Sequence, residues 1–170
     1  MKKLLLTAAA LALTIHQTLA APMCLTREYD NAHLAKHPQQ TITAMTLLLD
    51  EHAYFTVAFS LRGTSNLYLQ TGFCPDGGTT CYVECDGGGL SVSPTRGGWL
   101  AHFDRMTTAV YRRGGSIGCA DAVDTGQTAE IEGGPDNSPV KLYERPFSAC
   151  AYLVPLREEL IQNAVNAVKN

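Results

Sequence analysis

Residues 41–74, TITAMTLLLDEHAYFTVAFSLRGTSNLYLQTGFC, decide the fold class. Within them Phe55, Val57, Phe59 and Leu61 alternate with Tyr54, Thr56, Ala58 and Ser60, a period of two that belongs to a β-strand. A turn at Gly63-Thr64-Ser65 predicts a hairpin setting Leu61 opposite Leu67, Phe59 opposite Leu69, Val57 opposite Thr71 and Phe55 opposite Phe73. Folding the preceding segment back through residues 50–53 places Ile42 against Leu61, Ala44 against Phe59, Thr46 against Val57 and Leu48 against Phe55. One face of all three strands is then apolar. The other carries Met45, Leu47, Leu49, Tyr54, Ala58 and Tyr68, too apolar to stand in water, so a terminal helix or a second subunit is expected to cover it.

Working outward from this stretch, short strands are predicted at 80–86, 89–94, 98–104, 106–112 and 140–145. Gly87-Gly88-Gly89, Thr95-Arg96-Gly97-Gly98 and Gly114-Gly115 separate them. Such spacing predicts a mainly β domain, an antiparallel meander of about 7–9 short strands closed as a small barrel or sandwich. Residues 121–139, rich in Gly, Pro and acids, read as a long loop with at most one short strand. The pattern changes at the end: Leu156, Leu160, Ile161, Ala164, Val165 and Val168 recur at helical spacing behind Pro155. A C-terminal amphipathic α-helix is therefore expected over 155–169.

Residues 1–20 read as a signal peptide: Lys2 and Lys3, an apolar run from Leu4 to Ile15, and small residues about Thr18-Leu19-Ala20. The run is short for a membrane span, so no stable anchor is expected after cleavage, and the short dibasic leader points to a periplasmic or secreted protein. Residues 21–170 then form one domain, long enough to bury about two-thirds of its unfolded surface. Of the 13 basic residues the leader takes two and no acid, so 11 face 16 acids and the net charge moves from -3 to -5. Nucleic acid is an unsuitable partner for that balance, and Arg112-Arg113 reads as solvated surface.

Cys24, Cys74, Cys81, Cys85, Cys119 and Cys150 all follow the leader, and an even count in an exported chain predicts disulfides. Joining Cys24 to Cys150 would close most of the domain, worth about 4 to 5 kcal/mol by chain entropy. The other four stay open at this stage. Cys74 and Cys81 flank Pro75-Asp76-Gly77-Gly78 and could bridge its neck, leaving Cys85 for Cys119; strand alternation, however, sets Cys74 and Cys81 on opposite faces. The C-x6-C and C-x3-C spacings do not match a thiolate metal knuckle.

Gly114-Gly115-Ser116-Ile117-Gly118 spells G-x-S-x-G, yet it runs into an acidic loop where a nucleophile elbow needs a helix, so it reads as a glycine-rich turn. His33 and His37, four apart, could grip a metal from one helical turn; they supply two ligands, with Asp30 as the nearest third and Pro38 ending the turn. Glu84 and Asp86 share a strand face and could meet His102 and Asp104 as an acid–base group. Tyr54, Tyr68, Tyr82 and Tyr111 fall on separate strands and make the best binding candidates, since aromatic rings offer large contact area at low entropic cost. The expected function is an exported, non-enzymatic binding module without a cofactor, recognising a protein or small ligand through a β face or barrel mouth. The alternative is a small hydrolase or metal-binding protein built on His33 and His37 or on Glu84, Asp86 and His102.

Overall fold

The computed structural model describes residues 21–75, 79–83, 87–111, 113, 128–131 and 139–169, and at 128–131, 164, 167 and 168 the backbone alone. The leader, Glu84, Cys85, Asp86, Arg112, residues 114–118, Cys119 and most of the 121–139 loop lie outside the described residues.

Seven strands form an antiparallel meander in which each pairs with the next: β1 (Met23–Glu28), β2 (Ile42–Leu49), β3 (Tyr54–Leu61), β4 (Leu67–Phe73), β5 (Thr80–Tyr82), β6 (Gly89–Thr95) and β7 (Gly98–Asp104). Two further strands, β8 (Met106–Val110) and β9 (Thr128–Ile131), make a hairpin. The last strand, β10 (Val140–Arg145), pairs with both β7 and β1 and so closes an eight-stranded barrel. The expected meander is therefore a barrel and not a sandwich. Closure leaves no free edge within it, which removes the usual route to edge-to-edge association. Because β5 is short and meets β4 only at Phe73–Tyr82, the other half of that β4 edge is free for β8, through Tyr68–Val110 and Leu69–Ala109. The β8–β9 hairpin thus hangs outside the closed barrel, while β1, which carries no clear alternation, takes a place in it.

Side chains fill the lumen. Leu25, Met45, Leu47, Phe55, Val57, Phe59, Leu90, Val92, Phe103 and Leu142 are buried in one cluster, with the Phe59 and Phe103 rings edge to face at 5.7 Å. Each such side chain contributes about 1.5 to 3 kcal/mol on burial, before entropy is charged against it.

Both expected registers in 41–74 are corrected by one residue. Ile42 does pair with Leu61, but a bulge follows, and the ladder continues as Met45–Phe59, Leu47–Val57 and Leu49–Phe55. Met45, Leu47 and Leu49 therefore point into the barrel, opposite to the expected face, and Leu48 points out. The bulge is anchored by the Thr43 hydroxyl, which donates to the Ser60 carbonyl at 3.0 Å. In the next pair Phe59 faces Tyr68, Val57 faces Gln70 and Phe55 faces Gly72. Gly72 is what admits Phe55: a Cβ there would sit 2.5 Å from the Phe55 ring and 2.1 Å from the Tyr82 carbonyl oxygen. Leu67, Leu69, Thr71 and Phe73 are thereby turned outward.

The C-terminal helix, α2 (Leu153–Val168), begins two residues before the expected start and covers the outward face of the first strands. Leu153 and Leu160 are buried against Leu48, Ala58 and Leu69, with Val154 and Leu156 at the margin. This is the expected cover, over a face of different composition: of the six residues expected beneath it, only Ala58 is there. Ile161 and Val165, counted in the apolar stripe, are exposed. Beside the helix the Tyr111 hydroxyl donates to Glu159 Oε2 at 2.8 Å, and Arg157 pairs with Asp50 in the β2–β3 turn. A Cys24–Cys150 disulfide ties β1 to the turn preceding the helix, and Cys74–Cys81 bridges the β4–β5 neck. Strand alternation had set Cys74 and Cys81 on opposite faces; both are buried in the barrel cluster.

Candidate functional site

Cross-strand pairing carries one row of side chains over the outside of the barrel. Tyr54 on β3 pairs with Phe73 on β4, Phe73 with Tyr82 on β5, Tyr82 with Gly89 on β6, and Gly89 with Asp104 on β7. A parallel outward row, two pairs further along, runs Thr80, Ser91, His102. The three aromatic residues are 45, 45 and 57 % exposed, values unusual for rings this large and contiguous. Tyr54 and Phe73 meet edge to face at 5.6 Å.

Each member is held from beneath. Asp50 accepts hydrogen bonds from the backbone N–H groups of His52 and Tyr54, and Ala53 takes a left-handed φ of +64°, so the β2–β3 turn delivers Tyr54 in a set direction. Phe73 and Tyr82 each adjoin a cysteine of the Cys74–Cys81 bridge, which binds the two strands where their ladder is a single pair.

Beyond Tyr82 the surface opens into a groove of about 820 Å³ lined by Thr80, Tyr82, Ser91, His102, Asp104 and Arg105 among others. Gly89 makes its floor. A Cβ at Gly89 would lie 2.5 Å from the Cys81 carbonyl oxygen, so strand approach demands glycine there and the row of side chains is interrupted. The result is a slot with an aromatic wall at Tyr82 and an acidic wall at Asp104, two strand spacings or roughly 10 Å apart. Arg105 alone joins β7 to β8, with φ at +45°, a conformation that non-glycine residues seldom adopt. Among the described residues, the side chains of Thr80, Ser91, His102, Asp104 and Arg105 are donors or acceptors in none of the protein's own hydrogen bonds or ion pairs. They are available to a ligand.

The predicted binding tyrosines separate. Tyr54 and Tyr82 share the exposed row, Tyr68 packs against the barrel core, and Tyr111 packs under α2. Hydrogen bonding to Glu159, more than burial, raises the Tyr111 phenol above its ordinary value. Phe73, Asp104 and Arg105 belong to the site although the sequence does not mark them as binding candidates, and it marks His102 and Asp104 for acid–base chemistry only.

His33 and His37 lie elsewhere, on the short helix α1 (Asn31–Lys36) and its C-cap. Their rings stack at 4.4 Å, His33 stacks on Tyr29 at 4.7 Å, and its Nε2 is engaged by Gln40 Oε1 at 3.0 Å. Arg62 closes the end of that helix by donating to the carbonyls of Leu34, His37 and Gln40. The stack continues through Arg27, whose guanidinium lies 4.4 Å from the Tyr29 ring and 5.3 Å from Tyr143 and donates to the Tyr143 hydroxyl. Burial, only partly offset by the Arg27 charge, raises the Tyr29 phenol. Such a ladder braces β1, α1 and β10 against one another. Among the described residues no three His, Cys, Asp or Glu side chains are grouped to hold a metal ion. Compared with known protein families, curated proteins and solved structures, the chain matches none of them.

Proposed function

We propose that this is an exported binding module that takes its ligand on the outer barrel face, along Tyr54, Phe73 and Tyr82 and into the adjoining groove. One observation carries the reading: Tyr54, Phe73 and Tyr82 stay exposed as one contiguous row across three neighbouring strands, while Leu48, Ala58 and Leu69 on the same outward face are buried under a helix. Exposing such rings costs solvation free energy that a ligand would recover. The barrel mouth is the weaker candidate, because the lumen is packed with Phe55, Phe59, Phe103 and their neighbours. Two disulfides suit an oxidising compartment, and among the described residues no helix is long and apolar enough to cross a membrane.

A binding role is also favoured over catalysis by the groove's own geometry. Ser91, His102 and Asp104 share it, but none hydrogen-bonds another, so among the described residues no base is set against the Ser91 hydroxyl. The test is a ligand screen run in parallel on the wild type and on a Phe73→Ala/Tyr82→Ala variant shown to keep its melting temperature. Ligands of this site should lose about tenfold or more in affinity, the equivalent of one well-formed aromatic contact. Ligands that bind both proteins equally would place the function on another surface.

A further inference from the structure

The geometry points to a neutral carbohydrate as the ligand of the groove, an inference that rests on the binding reading above and gives it a chemical class. Of the described residues lining the groove, the fixed charges are Asp104 and Arg105, which cancel. A cation would find the Asp104 carboxylate but meet the Arg105 guanidinium beside it, and an anion would meet the reverse. From this pair of charges neither gains net attraction.

A vicinal diol uses both. Its hydroxyls donate to a carboxylate and accept from a guanidinium at the same time, and the hydroxyls of Thr80 and Ser91 add neutral partners on the parallel row. The other wall supplies what a polyol alone could not use. The face of an aromatic ring is electron-rich and attracts the slightly positive C–H bonds on one side of a sugar ring, which suits Tyr82 and, further along, Phe73 and Tyr54. Because Gly89 is the residue between Tyr82 and Asp104 on the row, no side chain stands between those two walls.

Peptides are less well served. The commonest capture of an extended peptide by a sheet uses unpaired backbone groups on an edge strand. Here β6, the central strand beneath the groove, is paired with β5 on one side and with β7 on the other, and β5 meets β4 through the single pair Phe73–Tyr82. Recognition along β6 then falls to side chains. The exposed aromatic row extends over three strands, so the expected ligand is an oligosaccharide spanning more than one ring, with one unit in the slot and the next ones laid along Phe73 and Tyr54.

The experiment is an NMR titration of the mature protein, both disulfides intact. The probes are a panel of neutral glucan, mannan, galactan and chitin oligosaccharides, a uronic-acid oligosaccharide and a lysine-rich peptide. At least one neutral oligosaccharide is expected to shift the amide resonances of Tyr82, Gly89, Ser91 and Asp104, and Asp104→Asn and Tyr82→Ala should each weaken it about tenfold. Binding of the charged sugar or the peptide to these residues, with no neutral sugar binding, would overturn the carbohydrate class and leave the groove as a binding site. Neutral sugars that shift only residues elsewhere, or that fail across the panel, would also overturn the inference. Retained affinity in Tyr82→Ala would count against the groove itself.

Discussion

Two stretches of the same outward barrel surface carry the same kind of side chain and meet different fates. Beneath α2, Leu48, Ala58 and Leu69 are sealed from water; a few residues along the same strands, Tyr54 and Phe73 are left bare beside Tyr82. The sealed region is closed by a disulfide 126 residues long in sequence, an ion pair from Arg157 to the β2–β3 turn and two buried leucines. Among the described residues nothing closes the bare one, although a disulfide of separation 7 stiffens it from below. Hydrophobic residues in one region serve stability, and in the other they are free to serve recognition.

The disulfides test that division most severely. By chain entropy, closing the long loop is worth about 5 kcal/mol and closing the short one about 2.5 kcal/mol. Cys24→Ala/Cys150→Ala should therefore lower the unfolding free energy about twice as much as Cys74→Ala/Cys81→Ala, as read by urea denaturation. Equal losses would mean that the helix is held by its packing alone. The short bridge should in compensation weigh more on ligand affinity, because it sets the spacing of Phe73 and Tyr82.

Packing gives the next contrast. Leu160→Ala removes a buried side chain under the helix and should cost about 2 to 4 kcal/mol through the cavity it leaves. Phe73→Ala, though it deletes a larger group, should change stability by no more than about 0.5 kcal/mol, since the ring is nearly half exposed. A loss of several kcal/mol at Phe73 would show the aromatic row to be part of the structural core.

This division was only half legible in the sequence. Strand positions from 42 to 73 and the helix were readable because alternation and helical spacing are direct consequences of burial on one side. Their phase was not. Ala44 to Leu49 is apolar on both faces, one face for the lumen and one for the helix, so a slip of one residue exposed no conflict. The Thr43 bulge used that freedom. In β4 the preference for Leu67 and Leu69 over Tyr68 and Gly72 as core residues hid Phe73 on the wrong side, although Gly72 was the clue: a glycine in a strand marks a close approach, here by Phe55. Tyr54 and Tyr82 are legible because they fall on separate strands at positions opposite the inward-facing set; Asp104 and Arg105 join them only through cross-strand neighbours that a single strand does not reveal.

The sealed region also contains a hydroxyl it does not use. Thr56 Oγ1 is fully buried and has no hydrogen-bond partner among the described residues, on the outward face between Leu48 and Thr71. Thr56→Val keeps the shape and removes the unsatisfied group, so it should raise stability by about 1 kcal/mol. Thr80→Val, in the bare region, should leave it unchanged, because that hydroxyl faces water.

The smallest expected effect lies at the border of the two regions and is set by pH. Tyr111 donates to Glu159 on α2, and this bond raises its phenol above the ordinary value near 10. The folded protein therefore keeps a proton that the unfolded chain has already released, and stability from this bond is whole below about pH 10 and declines as pH rises through the folded value. Wild type should exceed Tyr111→Phe by a constant margin from pH 7 to about 9, and the margin should shrink above about 10. Tyr29 is raised as well, through burial beside Arg27, but it is present in both proteins and cancels in the difference. A margin that widened in alkali would mean that ionised Tyr111 is the better partner for the helix, and would reverse the sign of the linkage drawn here.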